Sequence, residues 1–102
     1  MTDKPRPQPP LDDVGKLLFE GKDVADYLFQ VPDDEAQRDR LRVLLDGIVE
    51  AAKIGGHNEL PRIAREVRTT LAEPASPRAA EMLQVGFGRM VRLWQAARSG
   101  LF

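Results

Sequence analysis

At 102 residues, 42% hydrophobic and 30% charged, the chain has the size and composition of one soluble globular domain with a modest core. It has no cysteine and a single histidine, His57, which excludes disulfides, thiolate metal sites and thiol nucleophiles. The net charge of −1 hides an asymmetry: residues 1–50 hold seven Lys/Arg against twelve Asp/Glu, and residues 51–102 hold eight against four. Two readings follow, mutual attraction of the halves within one fold or a basic face offered to nucleic acid or an acidic protein.

In chain order, residues 1–10 contain Pro5, Pro7, Pro9 and Pro10 and read as an extended, disordered tail, leaving 11–102 as the folded domain. Pro7-x-x-Pro10 nominally fits a polyproline ligand, a match that so proline-dense a stretch produces by chance. A first helix is expected from about Asp12 to Phe29, with Val14, Leu17, Leu18, Gly21, Ala25 and Leu28 on one stripe. Gly15 and Gly21 weaken it by about 1 kcal/mol each relative to alanine, with a break anticipated near Gly21.

Pro32 closes the connection, and Asp34 with Gln37 resembles a capping box for a second helix reaching about Ile54 on the stripe Leu41, Leu44, Leu45, Ile48 and Ala52. Gly55-Gly56 supplies a helix end, and Asn58 can cap a third helix with Pro61 in its first turn. Its stripe is Leu60, Ile63, Ala64, Val67 and Leu71. Ser76-Pro77 is a start signal for a fourth helix to about Ser99 with Gly100 beyond, on Ala80, Leu83, Phe87, Met90, Val91, Trp94 and Ala97. No segment alternates with strand periodicity, and short connections favour antiparallel neighbours. The expected fold is an all-α, antiparallel four-helix bundle.

The chemistry of catalysis is missing. A nucleophile, a base and a group to orient the base are needed together, and His57, after a double glycine, reads as a loop or cap residue. Asp12-Asp13 and Asp33-Asp34-Glu35 sit at helix starts, where negative charge complements the helix dipole. Neither a calcium loop nor a phosphate-binding loop is present, and Gly86-Phe87-Gly88 lies inside a helical pattern as a close-packing point. No cofactor, metal or enzymatic activity is expected. With no apolar run of membrane length and no signal-peptide core at the start, the expected location is the cytoplasm.

Two outward surfaces carry the functional expectation. On helix two the face opposite the core presents Asp39, Val43, Asp46, Gly47 and Glu50, where a glycine admits another backbone, or else this is an ordinary solvated face with one stray valine. On helix four, Met82, Val85, Leu93 and Ala96 interleave with Arg89 and Arg92 away from the main stripe. Met and Arg are enriched at interfaces, and the arginines make all-round burial of this helix costly, so the reading is a partner surface, homodimerisation included.

The stretch Leu41 to Leu71 resembles the histidine phosphotransfer domains of bacterial two-component signalling. Those are four-helix bundles whose second helix carries an exposed His, followed three residues later by Lys-Gly and then by a glycine turn into helix three. Leu44-Leu45-Asp46-Gly47-Ile48-Val49-Glu50 falls on that motif, Gly55-Gly56 on the turn, and Leu60-Pro61-Arg62-Ile63-Ala64-Arg65-Glu66-Val67 on helix three. The phosphoacceptor position falls on Asp46, and Val49 and Glu50 replace Lys and Gly. The resemblance therefore implies a degenerate relative that docks a response-regulator receiver domain through Val43, Asp46, Gly47 and Glu50 without passing phosphate. The alternative is DNA binding or transcription regulation through Arg62, Arg65 and Arg68 of helix three; a turn glycine does not follow, and a pI of about 5.8 disfavours nucleic acid. The function expected is thus a non-catalytic interaction or regulatory module.

Overall fold

A computed structural model describes residues 9–54 and 59–100, and these form four helices: α1 (Pro9–Gln30), α2 (Glu35–Ile54), α3 (Glu59–Leu71) and α4 (Pro77–Arg98). Each packs on two neighbours in a closed ring, α1 on α2 and α4, and α3 on α2 and α4, while the diagonal pairs do not meet. This is the antiparallel four-helix bundle expected from the spacing, with no strand among the described residues.

Local chemistry sets the helix ends. The Asp34 carboxylate accepts from the Gln37 backbone N–H at 3.2 Å, capping α2 as anticipated. Ser76 caps α4 by accepting from the Ala79 N–H at 3.0 Å, and Pro77 follows in the first helical turn. Gly100, at φ 77°, takes the left-handed conformation beyond the last turn. One boundary differs from expectation. α1 begins at Pro9, so Pro9 and Pro10 belong to the helix rather than to the tail; a proline in the first turn forfeits an N–H that has no intrahelical acceptor there. Residues 1–8, Gly55-Gly56, His57, Asn58 and Leu101-Phe102, with the expectations attached to them, lie outside the described residues.

The stripes of α2 and α3 are buried at every position named from spacing, and they meet Val14, Leu18, Ala25 and Leu28 of α1 and Leu83, Phe87, Met90 and Trp94 of α4 in one core. Burying side chains of this size stabilises the fold by about 1.5–3 kcal/mol each relative to exposure. Leu17 and Val91 pack at its margin.

Two glycines of α1 and one of α4 turn out to be contact points. A Cβ on Gly15 would stand 2.3 Å from Trp94 Cζ2, one on Gly21 would stand 2.3 Å from Phe87 Cε1, and one on Gly86 would stand 2.3 Å from Val67 Cγ2. α1 is accordingly unbroken at Gly21, because an aromatic ring of α4 fills the space a side chain would have taken.

Arg38 sits on the same stripe as Leu41 and Leu45 and is 4% exposed. Its Nη2 donates to the carbonyls of Leu71 and Glu73, both at 2.7 Å, closing the C-terminal end of α3 from the start of α2. Those carbonyls have no partner within α3, and a cation there complements the helix dipole.

Candidate functional site

The side chains singled out from sequence fall into two sets on opposite sides of the bundle, because α2 and α4 are diagonal partners. On α2, Val43 is 70% exposed. Asp46 and Glu50 are also exposed, and with Leu45, Val49, Arg65 and Arg68 they line a shallow depression between α2 and α3. Asp46 lies 3.3 Å from Arg68 Nη2 of α3, and Glu50 lies 3.5 Å from Lys53 Nζ. Gly47 does not offer open backbone. Leu17 of α1 lies against it, with Cδ1 3.3 Å from where a Cβ would stand.

On α4, Met82 and Val85 are 49% and 54% exposed. Arg89, Arg92 and the half-buried Leu93 line a second depression with Glu59 and Ile63 of α3. Arg89 reaches Glu66 only at 3.8 Å, and Arg92 and Arg78 face no carboxylate within ion-pair distance among the described residues. Exposed pairs of this kind contribute about 0–1 kcal/mol, so the arginines are available to a partner at little cost. Apolar side chains flanked by arginines, of which Arg89 has a distant carboxylate partner and Arg78 and Arg92 have none among the described residues, are what the structure places here.

The charge asymmetry survives folding. Residues 9–54 hold eleven Asp/Glu and six Lys/Arg, and residues 59–100 hold four and seven. Among the described residues Arg68–Asp46 is the one ion pair joining the two hairpins; the others lie within a hairpin, such as Arg40–Glu20 at 2.5 Å. The bundle therefore has an acidic α1–α2 side and a basic α3–α4 side.

The arginines of α3 are differently placed. Arg62 is held between Glu59 and Glu66, which raise its pKa above the ordinary guanidinium value, the hydrogen bond that it donates to Glu59 acting most strongly. Arg68 is engaged with Asp46, and only Arg65 of the three has no ion-pair partner among the described residues. Among those residues no group of three or more His, Cys, Asp or Glu could hold a metal ion, and no helix is long and apolar enough to cross a membrane.

Exposed residues not anticipated from sequence are Phe19, Tyr27, Phe29 and Val31. Phe19 meets Trp94 edge-on, with ring centroids 5.4 Å apart, and Arg98 lies 5.1 Å over the same indole. Tyr27 Oη donates to Asp34 Oδ2 at 2.7 Å, joining α1 to the cap of α2. This bond, with the Gln37 N–H second, holds the Asp34 carboxyl below its usual value and raises the Tyr27 phenol. The off-stripe aromatics of α1 were the available signal; their neighbours on α4 lie too far along the chain to be read from it. No protein-family model, curated protein or solved structure matches this chain.

Proposed function

We propose that this chain is a non-catalytic protein-interaction module and that its working surface is the outer ridge of α4, built on Met82 and Val85 with Arg89, Arg92 and Leu93. The supporting observation is the exposure of Met82 and Val85 beside arginines that lack close carboxylate partners. An apolar centre rimmed by arginine suits a partner presenting apolar side chains among carboxylates.

The receiver-docking form of this reading requires a partner to approach α2 at Gly47, and Leu17 occupies that approach. DNA binding through α3 gains no support, since Arg62 is held between two glutamates and Arg68 is paired with Asp46.

The test is retention from an extract of the native cell on immobilised Val43→Asp, which keeps the α4 ridge alone, and on the double variant Val43→Asp/Val85→Asp. The reading expects a protein retained by Val43→Asp and lost from the double variant. Equal retention on the two, or no retention at all, contradicts it.

A further inference from the structure

The outer ridges of α4 and α2 are complementary to each other. On α4 the outward positions Arg78, Met82, Val85, Arg89, Arg92 and Ala96 recur at alternating spacings of four and three; on α2, Ala36, Asp39, Val43, Asp46, Glu50 and Lys53 recur at three and four. All are exposed except Ala96, which is partly so. This is the spacing by which two helices interlock side by side, and the ridges are close to equal in length, about 26 Å at 1.5 Å per residue.

Laid antiparallel, the two spacings run in register. Val43 meets Val85, with Asp39 opposite Arg89 on one side; on the other side Asp46 falls opposite Met82 and Glu50 then meets Arg78, so two pairs of opposite charge enclose the apolar contact. Two α4 ridges related by a two-fold axis at Val85 would instead set Arg78 against Arg92 as well as Glu81 against Arg89 on both sides, so repulsion offsets attraction there, whereas the α4–α2 register carries attraction alone.

We infer that the partner of the α4 ridge is the α2 ridge of a second copy of this chain, packed antiparallel. This rests on the reading of α4 as the working surface and names its occupant. Within one molecule α2 and α4 are diagonal and their outer ridges lie on opposite sides of the bundle, so each contact leaves one free ridge of each kind. The association is head-to-tail and propagates. Because it rests on exposed charges and a narrow apolar seam, it is weak and salt-sensitive.

Sedimentation equilibrium tests this. For wild type at low salt the weight-average mass rises with concentration above the 11.4 kDa of one chain, and high salt returns it toward that value. Val43→Asp alone and Val85→Asp alone stay at 11.4 kDa, while their equimolar mixture stops at twice that mass, because each supplies the ridge the other lacks. Thermal unfolding confirms that both variants are folded, both sites being exposed. Wild type that stays at 11.4 kDa at every concentration, or a mixture no heavier than its components, overturns the inference. Association that persists in either single variant overturns it as well. If wild type is a single chain yet adding Val85→Asp to Val43→Asp abolishes retention from extract, the inference fails and the proposed function stands; if retention is absent too, both fail.

Discussion

The inner and outer sides of α4 are made of similar residue types put to different uses. Inward, Leu83, Phe87, Met90 and Trp94 press into the core, and the rings of Phe87 and Trp94 lie against bare backbone at Gly21 and Gly15. Outward, Met82 and Val85 stand half exposed between arginines. A methyl group added on the inner side collides; a charge added on the outer side meets only solvent. Apolar character alone thus does not separate core positions from exposed ones, and what separates them is whether a facing helix has been shaped to receive the side chain.

The largest expected effect breaks the inner side. Phe87→Ala empties a fully buried ring site and should destabilise the fold by about 3–5 kcal/mol in urea unfolding. Next, Arg38→Met removes both donors to the Leu71 and Glu73 carbonyls and should cost about 2–3 kcal/mol. Gly21→Ala should cost about 1–3 kcal/mol through overpacking against Phe87, despite alanine's better helix propensity. In a Phe87→Leu background the same substitution should become neutral or stabilising, and a double-mutant cycle measures that coupling.

A smaller effect follows pH. The folded-state pKa of Asp34 is depressed, so its contribution is full above the ordinary carboxylate value and is lost as pH falls through the lowered one. The melting temperatures of wild type and Asp34→Ala should therefore differ at neutral pH and converge in acid. Tyr27→Phe should narrow the gap by removing the first cause of the shift.

Much of the inner side was legible in the sequence. The stripes of α2 and α3 follow from 3.6-residue periodicity, and the caps at Asp34 and Ser76 are local chemistry, so both could be read from neighbours a few residues apart. Arg38 was overlooked although it continues the Leu41–Leu45 stripe, because its acceptors lie 33 and 35 residues away. Gly15 and Gly21 read as weaknesses for the same reason: only the packed bundle brings the rings of α4 against them. On the outer side the sequence located Val43, Met82 and Val85 on outward faces, but not that Leu17 closes the approach to Gly47 or that the two ridges stand on opposite sides of the bundle.

The most direct test pairs folding with binding in one substitution on the outer ridge. In a Val43→Asp background, Val85→Asp is expected to leave the unfolding free energy within about 0.5 kcal/mol of its parent while abolishing retention of the protein partner. A double variant that unfolds markedly more easily, or one that still binds as its parent does, would contradict the assignment of this ridge to interaction.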